Sequence, residues 1–228
     1  MQLTSLDQVE LDHRPRAAVV VAHPDDEIIW CGGYILAHPE FHWRIVTLCR
    51  SEDADRAPKF RQVLHRLQAD GDMADLDDGP EQVAVPIDLV KSTILRLLDG
   101  IPVELLLTHG PEGEYTRHRR HEECCRAVIA LWRSGSISTK RLWTFAFEDG
   151  GRTYLPRVRA DADRRDLLPE DIWIEKRRIM TDLYGYGEDS WETMCTPREE
   201  GFLCFDSARD AVKRTAVQEI HCESTCTD

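Results

Sequence analysis

The chain has 228 residues, of which 29 are Lys or Arg and 42 are Asp or Glu, so its formal net charge is −13. This acidic balance argues against nucleic-acid binding, which needs a basic surface to neutralise phosphates. The hydrophobic share of 42% and the charged share of 31% are typical of a globular protein, not of a disordered or fibrous one. The apolar run at residues 17–22 is far shorter than the roughly 20 residues of a membrane-spanning helix, so we expect no membrane span.

The ends, the cysteines and the spacing of the segments give further expectations. The first residues lack the basic start and apolar stretch of a secretory signal, so we expect a cytoplasmic protein. The cysteines include no Cys-x-x-Cys pair, and we interpret them as reduced thiols. Without a repeat or a linker, we expect a single domain over residues 1–228, with a core at about 17–184 and an irregular C-terminal segment at 185–228. The sequence leaves open whether the chain forms a homo-oligomer.

Strand and helix patterns alternate along the chain. In chain order they predict a strand at 17–22, a helix at 28–37, a strand at 44–48, a helix at 59–68, a short strand at 73–76, a helix at 89–98, a strand at 103–107, a helix at 119–133, a strand at 142–147 and a helix from 169 or 170 to 184. This alternation predicts an α/β fold with a mostly parallel sheet. Ligands bind such sheets beyond the carboxyl ends of the strands, so we expect the site there.

Potential metal ligands are concentrated after two of the predicted strands. The run His-Pro-Asp-Asp-Glu at residues 23–27 follows the first strand, and His118 and His121 follow the strand at 103–107. Imidazole and carboxylate groups suit a divalent metal such as zinc, and catalytic zinc has three protein ligands and one position for water. Two histidines and one carboxylate satisfy this count, which leaves the second carboxylate free as a general base. Of His118 and His121, one can bind the metal while the other contacts the reacting group.

These motifs resemble those of a known family. The run Ala-His-Pro-Asp-Asp-Glu at residues 22–27, the Thr-His-Gly-Pro turn at 108–111 and the His-x-x-His pair are similar to the PIG-L/LmbE-like family of zinc-dependent N-acetylglucosaminyl deacetylases. The resemblance covers residues 17 to at least 147, with a weaker echo at 175–176, 184 and 200–202. It implies a Rossmann-like three-layer sandwich whose site lies at the carboxyl ends of the strands. It also implies removal of the N-acetyl group from an N-acetylglucosamine conjugate, a small-molecule substrate.

The resemblance further implies a role for individual residues. His23, Asp26 and His121 match the three metal ligands of the family, which would hold Zn²⁺, with Fe²⁺ as an alternative. Asp25 matches the general base that activates the metal-bound water for attack on the acetamide. His118 matches the histidine that stabilises the oxyanion or protonates the leaving amine.

Two segments depart from the family pattern. Many relatives place Tyr-Gly-His before the last histidine of the motif, whereas here Tyr115-Thr-Arg-His118 is one residue longer. Relatives often have a glycine-rich loop after the second strand, where this chain has Cys-Arg-Ser-Glu-Asp-Ala-Asp-Arg at residues 49–56. We therefore expect an altered substrate pocket in which Arg50 or Arg56 binds a hydroxyl, carboxylate or phosphate. Tyr115 is a further candidate substrate contact.

Other interpretations remain open. His109 ends a strand and is a rival metal ligand, and Asp25 and Asp26 are also suitable helix caps. The same scaffold can support an amide or ester hydrolase for a non-sugar acyl group. A non-catalytic sugar- or nucleotide-binding module is less favoured, because the set of ligands and base is complete. A Rossmann oxidoreductase is disfavoured, because no Gly-x-Gly-x-x-Gly follows the first strand.

Overall fold

A computed structural model describes residues 14–114, 117–148 and 150–223, with side chains up to residue 215. The strands are β1 (Arg16–Val21), β2 (His42–Thr47), β3 (Asp70–Met73), β4 (Val103–Thr108), β5 (Thr139–Phe145), β6 (Arg164–Leu167) and β7 (Glu199–Phe205). The helices are α1 (Asp26–Ala37), α2 (Arg56–Leu67), α3 (Ile87–Leu98), α4 (Arg119–Arg133), α5 (Glu170–Arg178), α6 (Trp191–Met194) and α7 (Ala208–Glu223). A π-helical turn at Ile179–Leu183 directly continues α5.

The described strands form one sheet in the order β3-β2-β1-β4-β5-β7-β6. The first five of these strands are parallel, β7 is antiparallel to β5, and β6 is antiparallel to β7. The predicted α/β fold with a mostly parallel sheet is therefore confirmed. The strand order reverses between β1 and β4, and this switch point opens a crevice at the carboxyl ends of the two strands, where such sheets bind ligands.

Helices cover both faces of the sheet and explain the apolar run in β1. On one face, Val19 packs in a cluster with Trp30 of α1 and Phe60 of α2. On the other face, Val20 packs in a second cluster with Ile94 of α3. All of these side chains are buried. A strand buried on both faces needs apolar residues at every position instead of an alternating pattern.

The structure differs from the predicted elements mainly at the two edges of the sheet. β3 spans Asp70–Met73 instead of 73–76, because it is a polar edge strand in which Met73 alone is buried. The segment 185–228, expected to be irregular, contains α6, β7 and α7, and β6 was not predicted. β7 begins with two glutamates, of which Glu200 is fully buried, so its sequence lacks the apolar start of a buried strand.

Two expectations from composition can be compared with the described residues. No described helix combines the length and the apolar character that a membrane span requires. The cysteines at positions 31, 49, 124, 125, 195 and 204 are free thiols. The described part of the chain therefore agrees with the interpretation of reduced cysteines.

Candidate active site

The turn between β1 and α1 holds the two adjacent aspartates in different surroundings. Asp25 has φ 115° and ψ −30°, a conformation that side chains with a Cβ rarely adopt. Its N–H donates to Oε2 of Glu27 at 3.0 Å, and its carbonyl accepts from the N–H groups of Ile28 and Ile29, both at 2.9 Å. These bonds hold a strained backbone at the start of α1. The carboxylates of Asp25 and Asp26 consequently have separate partners.

Three potential ligand atoms form a nearly equilateral triangle at the switch point. Nδ1 of His23 lies 3.1 Å from Oδ2 of Asp26 and 3.2 Å from Nε2 of His121. Nε2 of His121 lies 3.3 Å from the same Asp26 oxygen. Ligand atoms held at 2.0–2.1 Å from a tetrahedral zinc are about 3.4 Å apart. The spacing of this triangle therefore fits a single divalent cation.

Carboxylates behind both histidines strengthen that fit. Nδ1 of His121 lies 2.6 Å from Oε2 of Glu114, and Nε2 of His23 lies 3.1 Å from Oδ1 of Asp78. The ring of His121 can donate its far N–H to Glu114 and turn its lone pair towards Asp26. The far nitrogen of His23 lies close to Asp78 but makes no hydrogen bond within the described residues. Burial disfavours the charged form of both histidines, yet the neighbouring carboxylates outweigh it and raise the pKa of His23 and of His121. The triangle is thus a site that attracts positive charge, as a metal centre must.

His118 lies next to the triangle without being part of it. Its ring centroid is 4.8 Å from that of His23 and 4.7 Å from that of His121. Its Nδ1 is buried and has no hydrogen-bond partner among the described residues. Burial and the two neighbouring histidines lower the pKa of His118 to about 3, so its imidazole is neutral at physiological pH. A neutral ring at this position can offer one N–H to a bound molecule.

His109, the rival ligand, lies within reach of Asp26 and His121 and makes two further contacts of its own. Its Nε2 accepts the backbone N–H of Ala22 at 2.9 Å, and its Nδ1 lies 3.0 Å from Oε2 of Glu114. The ring is fully buried and stacks on His121 with a centroid distance of 3.8 Å. Both ring nitrogens are therefore already engaged, and His109 supports the ring of His121 from behind.

Asp25 binds two donors that come from distant parts of the chain. Nη1 of Arg56, at the start of α2, donates to Oδ2 of Asp25 at 2.8 Å. The hydroxyl of Tyr186 donates to the same oxygen and accepts a hydrogen bond from Arg56. Burial and the nearby Asp26 carboxylate raise the pKa of Asp25, although Arg56 and Tyr186 act in the opposite direction.

A cavity of about 250 Å³ opens over this group. Its lining residues are His23, Pro24, Asp25, Asp26, Ile29, Arg50, Arg56, Asp78, His118, His121, Arg152, Tyr186 and Glu192. Arg50 donates to Oδ2 of Asp78 at 3.0 Å from Nε and at 2.6 Å from Nη2. Every predicted site residue except Tyr115 thus lines one cavity, and Tyr115 lies outside the described residues.

Several residues around the cavity were not predicted from the sequence. Glu114 belongs to a turn-rich segment after β4 and gives no signal beyond its charge. Asp78 is one acid among several in a polar loop. Tyr186 comes two residues after Tyr184, which did belong to the weaker echo of the family. Arg152 reaches the cavity from the loop after β5 and shows no local pattern.

The fold is similar to several solved structures. A deacetylase of teicoplanin biosynthesis matches with a TM-score of 0.59 and 10% identity, over 78% of this chain and 89% of that chain. N,N'-diacetylchitobiose deacetylase from Pyrococcus horikoshii matches with 0.56 and 14%, over 84% of each chain. GalB, the 4-carboxy-2-hydroxymuconate hydratase from Pseudomonas putida KT2440, matches with 0.57 and 15%, over 94% of this chain and 91% of that chain. At these identities the likeness establishes the fold alone.

The family is established at the level of sequence. Residues 18–132 match PIG-L, described as GlcNAc-PI de-N-acetylase. That region includes the triangle of His23, Asp26 and His121 as well as Asp25 and His118. Because the match extends over just over half of the chain, the protein belongs to the PIG-L family.

Proposed function

We propose that the protein is a metal-dependent deacetylase that hydrolyses the N-acetyl group of an amino-sugar conjugate to acetate and a free amine. The observation that carries the proposal is the triangle of His23, Asp26 and His121 with Asp25 beside it on separate partners. Membership of the PIG-L family supports the reaction class. Deacetylases among the structures with the same fold are consistent with it.

His23, Asp26 and His121 are the proposed metal ligands. A divalent cation bound there polarises the acetyl carbonyl and lowers the pKa of water towards about 7. The mixture of imidazole and carboxylate donors suits Zn²⁺, and Fe²⁺ is the alternative. Glu114 orients the ring of His121 so that it presents the nitrogen that lacks a proton, and Asp78 lies beside the far nitrogen of His23.

Asp25 and His118 are the proposed catalytic residues. Asp25 takes a proton from the attacking water as the new C–O bond forms at the acetyl carbon. His118, a neutral imidazole, donates a hydrogen bond to the oxyanion that develops on the former carbonyl oxygen. The C–N bond then breaks, and the proton held by Asp25 passes to the amine nitrogen. Acetate and the amine are the two products.

The arginines of the cavity support a substrate with hydroxyl or anionic groups. Arg50, Arg56 and Arg152 line it although the whole chain carries a net charge of −13. Guanidinium groups bind carboxylates and phosphates through paired hydrogen bonds. We therefore propose that Arg50 and Arg56 contact the part of the substrate beyond the acetamide, with Tyr115 as a further contact.

A hydratase or a hydrolase for non-sugar acyl groups is the second candidate. GalB, a hydratase, has the same fold over 94% of this chain. The same arginines would accept a carboxylate substrate, and activated water serves addition to a double bond as well as hydrolysis. Product analysis separates the candidates, because a hydratase releases no acetate and a hydrolase for non-sugar acyl groups leaves the amino-sugar conjugate intact.

Substitutions of Asp25 and His121 test the proposed roles of these residues as general base and metal ligand. Asp25→Asn should keep the bound metal and reduce kcat by at least about 100-fold, because removal of a general base costs about 10²–10⁴-fold. His121→Ala should lose the metal itself. Metal content by elemental analysis and acetate release measure the two effects. Asp55→Asn, at an exposed position that pairs with Lys59, is the matched control and should change neither. Unchanged turnover in Asp25→Asn would refute the assignment of Asp25 as the general base.

A further inference from the structure

A short segment after the π-helical turn binds two acids of the motif. The hydroxyl of Tyr184 donates to Oε1 of Glu27 at 2.5 Å, and the hydroxyl of Tyr186 donates to Oδ2 of Asp25. Gly185 between them has φ 76°, a conformation that favours glycine. We call Tyr184–Tyr186 the tyrosine clip. Its two hydroxyls are two residues apart in the chain, as are the two acids that they bind.

The clip acts on both the backbone and the side chain of Asp25. Glu27 accepts the Asp25 N–H through Oε2, at 3.0 Å, while Tyr184 holds the other oxygen of the same carboxyl group. Tyr184 therefore reaches the strained backbone of Asp25 through Glu27. Tyr186 reaches the carboxylate directly. The two contacts join the segment after the π-helical turn to Asp25 before α1 and to Glu27 in its first turn.

Arg56 completes the arrangement around one oxygen of Asp25. Its Nη1 donates both to Oδ2 of Asp25 and to the hydroxyl of Tyr186, and its guanidinium lies 4.9 Å from the centroid of the tyrosine ring. Oδ1 of Asp25 makes no hydrogen bond within the described residues. Because Asp25 lines the cavity, the free oxygen is the one available to a bound molecule. Two fixed donors on Oδ2 restrict rotation of the carboxylate.

We propose that Tyr186 and Arg56 are positioning residues that hold Oδ2 of Asp25, so that Oδ1 is the oxygen that takes the proton, and that Tyr184 fixes the backbone of the same residue through Glu27. The proposal rests on the proposed role of Asp25 as the base. A base held in one rotamer keeps its distance to the reacting proton, and misplacement by about 1 Å can cost about 100-fold in rate. The segment after α5 thereby becomes part of the catalytic apparatus without touching the substrate.

Tyr186→Phe tests the proposal because it removes one hydroxyl and keeps the ring. We expect kcat to fall by about 10-fold to 100-fold, with KM and metal affinity within twofold of the wild type. Tyr154→Phe is the matched control, since that hydroxyl contacts Glu148 at 3.3 Å away from the cavity lining. It should leave kcat unchanged. A raised KM with unchanged kcat would instead make Tyr186 a substrate contact and overturn the proposal.

A double-mutant cycle then asks whether Tyr186 acts through Asp25. In the Asp25→Asn background, Tyr186→Phe should change the residual kcat by less than twofold, because the group that it positions is gone. A further loss as large as in the wild-type background would overturn the proposal. Arg56→Lys should likewise lower kcat in the wild-type background and change it by less than twofold in the Asp25→Asn background, since it keeps the charge and loses the fixed fork of donors. Its KM should change as well, because Arg56 is also a proposed substrate contact.

A failure of the proposed function can be distinguished from a failure of the clip. If the metal-loaded wild type releases no acetate from any acetamide, the proposed function fails. The contact is then tested through urea unfolding of the single and double variants at positions 25 and 186. Non-additive shifts of the unfolding midpoint would support a held Asp25 in whatever reaction the protein performs, and additive shifts would overturn the clip.

Discussion

Glu114 supports the two buried histidines His109 and His121. Its Oε2 lies 2.6 Å from Nδ1 of His121 and 3.0 Å from Nδ1 of His109, and its Oε1 accepts the N–H of Gly110 at 2.6 Å. Burial opposes ionisation, yet the two histidines outweigh it and lower the pKa of Glu114 to about 2. A permanently charged carboxylate fixes the proton on Nδ1 of His121. The lone pair of Nε2 is thereby left for a metal.

Glu114→Gln is therefore expected to weaken metal binding. The amide replaces a charged acceptor, and loss of such an orienting partner costs about 10-fold to 100-fold in metal affinity. Competition with a chromophoric chelator measures the dissociation constant directly. Glu112→Gln is the control in the same turn, since Glu112 pairs with Arg159 at 3.3 Å and is absent from the cavity lining. Equal affinity in both variants would contradict this role of Glu114.

For single residues, the sequence predicted the site residues that stand together in one motif. It missed the site residues that are isolated in the chain. His23, Asp25 and Asp26 stand together in a distinctive run after an apolar strand, so their convergence needed only the position of that strand. Glu114 and Tyr186 are isolated residues of common types. Their contacts depend on the tertiary structure, and no local spacing predicts them.

A buried ion pair joins three elements next to the site. Glu200 of β7 accepts the N–H groups of Gly33 and Tyr34 in α1, at 2.8 and 2.7 Å. Nζ of Lys176 in α5 donates to the same carboxylate at 2.7 Å, and both side chains are fully buried. Since α1 starts at the triangle of His23, Asp26 and His121, this pair fixes the helix that carries Asp26.

Lys176→Met should destabilise the protein strongly. It leaves the buried Glu200 carboxylate without its charge partner, a change that costs about 3–5 kcal/mol in the free energy of unfolding. Arg177→Met is a neighbouring control, because Arg177 pairs with the exposed Glu188 and such surface pairs contribute about 0–1 kcal/mol. Urea unfolding followed by circular dichroism compares the two variants. A loss below about 1 kcal/mol in Lys176→Met would show that the pair does not hold these elements together.

At the scale of elements, periodicity predicted the parallel part of the sheet and its helices. β1 and β4 are apolar runs with little interruption, and α4 has apolar residues at helical spacing. The strand β6, Arg164–Leu167, has three charged residues among its four, and β7 begins with two glutamates. Neither sequence starts as an apolar run, so both strands were missed. Glu200 can be buried in β7 because Lys176 and the α1 backbone satisfy its carboxylate. That compensation comes from other elements, so the strand sequence cannot predict it.

For the whole molecule, the topology explains how distant segments build one cavity. The switch point between β1 and β4 brings residues 22–27 together with residues 109–114 and 117–121. Residues 50–56 follow β2, and Tyr186 arrives from the segment after α5. The fold alone does not set the reaction, since deacetylases and a hydratase share it. The proposed reaction therefore depends on the residues of the cavity and not on the fold.

Release of acetate and amine from a panel of N-acetylglucosaminyl conjugates tests the proposed function most directly. The metal-loaded protein is compared with the chelated protein and with Asp25→Asn. We predict release that requires both the metal and Asp25, with a rate that depends on the group attached to the sugar. Absence of acetate from every conjugate, with metal bound at the triangle of His23, Asp26 and His121, would contradict the deacetylase assignment and favour a different water-dependent reaction.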